Sequence, residues 1–332
     1  MLDIARLERI RLTAKPLTQR LVGFGILAPT YEPFGRVRID VENMERIPDE
    51  PVIYAMNHTD RYNYWPFQYA LWRRCSRFTA TWVKGKYYEN PVVGLFMERT
   101  NNLPTVSRGY IITRDFLDVV GRRPTEEEYT ALRARVDAAA QGDEPSSDTA
   151  PIPAAVLRTP RSMLGRRFDP ATESWAEAVN AVFATMMRRF LELHEEAFAL
   201  GLDLIVFPEG TRRRRLGRGH IGLAEVALKY RKTVVPVGCS GSDRVYPGSS
   251  PIARPGHIVY RVGEPVRYED VSEFHIDEPF TPFDARDEAK HRGRFQGYVD
   301  AIMARIEELL DEPYRSTQDP GDDEIRGTQR FV

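Results

Sequence analysis

The chain has 332 residues, 42% of them hydrophobic, with 47 basic and 48 acidic side chains and a formal net charge of −1. That length buries one large core or two modest ones, and the balanced charge argues against bulk attraction to nucleic acid. Cys75 and Cys239 are the only cysteines; they form neither a disulfide framework nor a metal-ligand pair by spacing, which favours a reducing, cytoplasmic setting.

Residues 3–28 carry Ile4, Leu7, Ile10, Leu12, Leu17, Leu21, Val22 and Phe24 with basic residues between them. Pro16 divides this stretch into two short amphipathic helices, expected to cap the main domain and to touch lipid with a free edge. Arg6, Glu8, Arg9 and Arg11 interrupt any signal-peptide pattern, and the apolar run 21–28 is too short to span a bilayer. Membrane contact is therefore expected to be peripheral, at the inner face. Residues 36–41 and 52–56 read as strands, 64–73 as a helix and 78–83 as a third strand, followed by Lys84-Gly85-Lys86. Residues 106–172 read as an insertion with one helix, from a capping box at Thr125–Glu128 to near Gln141. A Pro/Ser/Asp/Gly-rich linker over 142–153 follows. A second capping box, Ser174 to Glu177, opens a long helix to about Leu200 that Gly201 closes. On it, His194 followed by Glu195 and Glu196 is expected on an exposed face. Strands recur at 202–207, 233–237 and 257–262, with helices over 223–229 and 292–310 and a polar, fraying tail over 312–332.

Strands separated by helices define an α/β protein: a central mixed sheet with helices on both faces, an N-terminal helical cap and a partly helical insertion. The division is 1–30 for the amphipathic helices, 31–311 for the α/β domain and 312–332 for the tail. Ligands of such sheets sit at the carboxyl ends of strands, and two segments there carry chemistry. One is Phe207-Pro208-Glu209-Gly210-Thr211-Arg212, which places a carboxylate, a hydroxyl and a guanidinium at a strand mouth, suited to gripping a phosphorylated molecule. The other runs Asn57-His58-Thr59-Asp60-Arg61-Tyr62-Asn63. His58 is the candidate general base, since histidine titrates near neutrality without help; by itself it also reads as a helix-capping residue.

Together the two segments resemble the glycerolipid acyltransferase family, the PlsC-like or phosphate acyltransferase proteins. That family's first block is Asn-His-x-x-x-x-Asp and its third Phe-Pro-Glu-Gly-Thr-Arg. Residues 94–99 resemble its second block and 234–237 its fourth. The resemblance implies an acyl-CoA or acyl-carrier-protein thioester as donor and no cofactor or metal. It also implies a glycerol-3-phosphate-type or lysophospholipid acceptor, held by Arg99, Glu209, Gly210, Thr211 and Arg212. The run Arg212–Arg215 with Arg218 is expected to attract anionic headgroups or coenzyme A phosphates at a membrane surface, not nucleic acid.

One position departs from the pattern. Asn63 stands where the family has the aspartate that orients the histidine and stabilises its imidazolium. Three readings follow: Asn63 orients His58 well enough for an activated thioester, Asp60 supplies the missing charge, or acyl transfer is lost. The third leaves a lipid-binding scaffold; a thioesterase, with water as acceptor, is the further rival.

Overall fold

The computed structural model describes residues 1–31, 36–143 and 151–316. Helices α1 (Ile4–Arg9), α2 (Leu17–Val22) and α3 (Ala28–Tyr31) lead into strand β1 (Val37–Glu42) and then β2 (Ile53–Met56). Helix α4 (Tyr64–Cys75), β3 (Thr79–Lys84), α5 (Pro91–Arg99) and β4 (Asn102–Thr105) complete the first half of the sheet. The insertion contributes α6 (Arg108–Val120), α7 (Glu126–Gln141), α8 (Ala154–Arg158) and the hairpin β5 (Arg161–Met163) and β6 (Arg166–Phe168). Then come α9 (Trp175–Ala199), β7 (Asp203–Val206), α10 (Gly222–Tyr230), β8 (Val234–Ser240), α11 (Ser242–Val245), β9 (Gly256–Val262) and α12 (Ala285–Glu308).

Seven strands form one mixed sheet in the order β1-β9-β8-β2-β7-β3-β4. Neighbours run parallel except β8 and β9. The central strands β2, β7 and β8 are buried along their whole length, as strands covered on both faces must be. Successive residues of β2 serve opposite faces: Ile53 and Ala55 pack into the cluster with α9 and α12, Tyr54 and Met56 into the cluster with Phe67 of α4 and Tyr260 of β9.

Both capping boxes form, with Thr125 and Glu128 opening α7 and Ser174 and Glu177 opening α9. The insertion is more ordered than its sequence implies. Helix α6 was not expected, because Ile111, Ile112, Thr113 and Val119 are weak helix formers. Ser107 caps it, and burial of Tyr110, Ile111, Ile112 and Phe116 against α7 and α9 supplies what propensity lacks. Leu132, Val136, Val156 and Phe168 join the same core as β2, so the insertion is continuous with the domain. Most of the expected linker, 144–150, lies outside the described residues. Strand β4 was also missed; its Pro104 is tolerated because β4 is a sheet edge.

Three further expectations need correction. His194 is fully buried: its Nε2 accepts from the Trp82 indole N–H at 2.8 Å and its Nδ1 lies 2.7 Å from the Phe190 carbonyl. It belongs to the inward stripe Met187, Phe190, Leu193, His194 and Ala197, which the neighbouring glutamates disguise. The segment expected to fray from 312 begins with a docked turn, Glu312–Tyr314, in which Tyr314 is buried and donates to Asp243 at 2.6 Å; the expected tail over 317–332 lies outside the described residues. The two N-terminal helices also differ from each other. Leu2, Leu7, Ile10 and Leu12, in and around α1, are buried in the main core. Helix α2 continues through a π-helical turn, Gly23–Leu27, into α3 and leaves Leu17, Leu21, Phe24 and Ile26 more than half exposed. Gly23 is required there, since a Cβ would sit 2.5 Å from the Trp72 ring.

Candidate active site

The sheet order sets β2, β7 and β3 side by side, so the residues following them meet at one edge. They open on a cavity of about 690 Å³. Asn57 ends β2 by acting as a side-chain peptide: its amide donates to the Cys239 carbonyl at 2.9 Å and accepts from the Cys239 N–H at 2.7 Å. That double bond ties β2 to β8 and fixes where the next residue emerges.

That residue is His58, half-buried on the cavity wall. Its Nδ1 lies 3.2 Å from Asn63 Oδ1. Asn63, fully buried at the start of α4, donates its amide N–H to the Asn57 carbonyl at 2.8 Å. That bond settles which way the amide faces, with oxygen toward the imidazole. The proton therefore sits on Nδ1, and Nε2 keeps its lone pair. The ring also stacks on Phe207, with centroids 4.1 Å apart and 18° between planes. Burial, reinforced by the charges of Arg212 and Lys84 against the bond from Asn63, holds the imidazole well below the usual histidine range. It is neutral, and a base in form, at physiological pH.

Asp60 does not reach His58 in a hydrogen bond. It accepts from the Thr59 hydroxyl at 2.9 Å and the Tyr62 N–H at 2.8 Å, an Asx-type turn that feeds the chain into α4. Burial raises its carboxyl to about 6.

Of the residues expected to hold the acceptor, three line the cavity: Gly210, Thr211 and Arg212. Gly210 has φ +63°, and a Cβ there would also press on the His220 ring at 3.1 Å, so only glycine suits the turn. Arg99 does not reach the cavity. Helix α5 turns Val93 and Met97, four residues apart, toward it; two residues beyond Met97, Arg99 points away and is exposed. Glu209 does not line the cavity either; its carboxylate is spent on two backbone N–H groups.

In their place stand cations that the motifs did not single out. Arg61, Lys84 and Lys86 join Arg212, Arg213 and Arg214 on the wall, and no carboxylate is among the described residues that line it. Burial, then the like charges of Arg212, Arg61 and Arg123, push the Lys86 amine down. The signal was present in Lys84-Gly85-Lys86 at the end of the third strand, but only the adjacency of β3 and β7 gives it meaning. A second, apolar pocket lies between α2 with its π turn and α4, lined by Val22, Leu27, Tyr69, Trp72, Phe78 and Phe96. Tyr64 and Trp65 border both spaces. Among the described residues there is no cluster of three ligands able to hold a metal, and no helix long and apolar enough to cross a membrane.

Residues 38–126 match the family model of the acyltransferase domain. No curated protein matches the chain. Among solved structures it is similar to the 1-acyl-sn-glycerophosphate (LPA) acyltransferase PlsC of Thermotoga maritima, with 15% identity and a TM-score of 0.37 over 91% of this chain and 80% of that one. The matched stretch runs from β1 to the first turn of α7 and includes His58, Asn63, Lys84 and Lys86, so that part of the chain is similar to the acyltransferase domain.

Proposed function

We propose that this protein moves an acyl chain from a coenzyme A or carrier-protein thioester to a hydroxyl of a phosphate-bearing acceptor of the glycerol-3-phosphate or lysophospholipid kind. The observation that carries the reading is an imidazole held at Nδ1 by the Asn63 oxygen, beside six cations in a cavity whose described lining has no carboxylate. His58 Nε2 takes the acceptor's hydroxyl proton as the oxygen attacks the thioester carbonyl. The tetrahedral intermediate collapses, the C–S bond breaks, and the imidazolium returns the proton to the departing thiolate. Asn63 holds the ring but adds no charge, so the imidazolium forms only transiently; a thioester, a better electrophile than an amide, tolerates this. The acyl chain lies against Tyr64 and Trp65, which border both the cationic cavity and the apolar pocket beneath α2. The test is mass spectrometry of the products from an acyl thioester and a panel of acceptors. Thioester loss without acylated product would instead indicate a thioesterase, and lipid binding without either would indicate a scaffold.

Arg212 is assigned to the acceptor phosphate. Arg212→Ala is expected to raise KM for glycerol 3-phosphate or lysophosphatidate by about 10- to 100-fold, the worth of one charge-assisted bond. kcat should change less, because the contact exists before the transition state. Unchanged kinetics with both acceptors would remove this assignment.

The membrane surface is the second partner in this reading, bound peripherally from the cytoplasmic side. Leu17, Leu21, Phe24 and Ile26 are exposed on the α2 segment that covers the apolar pocket, with Arg20 beside them, and Val92 and Leu95 are exposed on α5. Such a face suits shallow insertion among anionic headgroups. The double change Leu21→Glu and Phe24→Glu is expected to weaken co-sedimentation with anionic vesicles roughly tenfold or more, given the transfer energy of two large apolar side chains. Binding to wild type should also fall with salt. Equal pelleting of variant and wild type would sink the membrane assignment.

A further inference from the structure

Glu209 sits in the motif that the family resemblance gives to the acceptor, yet its two oxygens face backbone. Oε1 accepts from the His58 N–H at 2.8 Å, and Oε2 accepts from the Gly217 N–H, also at 2.8 Å. The side chain is buried. The next peptide unit is held as well, since the Arg213 N–H donates to the His58 carbonyl at 2.8 Å. The loop that makes these bonds is itself moored: the His220 N–H donates to the Pro208 carbonyl at 2.9 Å and the Leu216 N–H to the Tyr314 carbonyl at 2.8 Å.

We propose that Glu209 is a positioning residue, a clamp that fixes the backbone of the general base to the arginine-bearing loop, and not a ligand of the acceptor. Its kinetic consequence rests on the reading of His58 as base; the clamp itself does not. Bond count explains the residue type. Two N–H donors converge on one side chain, and only a carboxylate offers an acceptor to each. A glutamine in the same place would satisfy one donor and turn its own N–H₂ against the other. Through this side chain, together with the Arg213–His58 backbone bond, the placement of His58 Nε2 is coupled to that of Arg212, Arg213 and Arg214.

The clamp also has a proton dependence. Burial raises the Glu209 carboxyl to about 7, opposed by the bonds from His58 and Gly217 and by the charge of Arg213. Facing it are the His58 backbone from the end of β2 and, from its own loop, Arg213 and the ring of His220 against Gly210. As pH falls through this value one oxygen becomes a donor, one backbone N–H loses its acceptor, and the clamp loosens. His58 is already neutral throughout that range.

The test is Glu209→Gln, with kinetics against pH and amide hydrogen exchange. The expected result is a kcat lowered roughly 10- to 100-fold, as for a misplaced catalytic group, with acceptor KM moved by less than about threefold. The acidic limb of kcat near neutrality, present in the unmutated protein, should flatten in the variant; the acceptor's own phosphate titration is common to both. A variant with raised acceptor KM and unchanged kcat would overturn the proposal in favour of an acceptor ligand. If Glu209→Gln does not fold, the unmutated protein decides: exchange protection of the His58 and Gly217 amides should drop as pH falls from about 8 to about 6. Unprotected His58 and Gly217 amides at about pH 8 would overturn the clamp, and constant protection over that range would overturn its proton dependence. A failure of the base assignment looks different, because His58→Ala would then stay active while the amide protection still follows Glu209.

Discussion

Replacing His58 with alanine is expected to lower kcat for acyl transfer by about 10²- to 10⁴-fold, the range for loss of a positioned general base. The loss should fall on kcat, since the cationic wall and the apolar pocket remain to bind acceptor and donor. The fold should survive, because the imidazole is only half-buried and its removal leaves Asn63 still bonded to the Asn57 carbonyl. Measured turnover of His58→Ala within about threefold of wild type would end the base assignment, whatever the other residues do.

The second large effect concerns Asn63. Asn63→Ala removes the bond to His58 Nδ1 and the bond to the Asn57 carbonyl together. The ring loses its partner and the preferred tautomer, and acyl transfer is expected to fall about 10²-fold. Stability should fall by about 1–3 kcal/mol, the cost of an unanswered buried carbonyl, which chemical denaturation would read. Asn63→Asp separates two forces. A carboxylate facing the imidazole favours its charged form, so the His58 ring should titrate at higher pH than in the unmutated protein, which NMR titration of the ring would read. Its other oxygen, however, would face the Asn57 carbonyl at about the 2.8 Å where an N–H now donates. The gain from charge is thus opposed by repulsion, and kcat is expected to stay within about tenfold of wild type while stability drops by about 1–3 kcal/mol. Activity several hundredfold above wild type would show that the missing charge had limited the reaction. Asp60→Asn is the control: bonded to Thr59 and Tyr62, it should leave turnover near wild type. A loss as deep as that of His58→Ala would hand the charge to Asp60 after all.

In this chain an amide holds the histidine in place. Asn63 spends its oxygen on the ring and its N–H on the strand end, so the amide is part of the β2 turn and not a defect left in an otherwise ordinary site. The surrounding cations compound the effect, since Arg212 and Lys84 also disfavour an imidazolium. A bound anion would relieve part of that field, so phosphate binding and proton transfer reinforce each other in the proposed reaction.

Much was legible along the chain because it is local. Both capping boxes involve residues three apart, the buried strands β2, β7 and β8 announce themselves as apolar runs, and His58 and Arg212 each follow such a run. What a side chain faces was not legible. Helical phase turns Arg99 out and His194 in, although their neighbours in sequence argued otherwise. The pairing of β7 between β2 and β3 brings Lys84 and Lys86 to Arg212 across more than 120 residues of chain. It also sets the His58 peptide against Glu209, so a carboxylate that reads as a ligand binds backbone instead. Sequence determined most of the elements, α6 and β4 excepted, and where the two motifs lie, since propensity, capping and turn chemistry act over a few positions. Tertiary structure alone decided which of those residues share the cavity, because that depends on strand order and helix phase, and both are set by burial of the whole sheet.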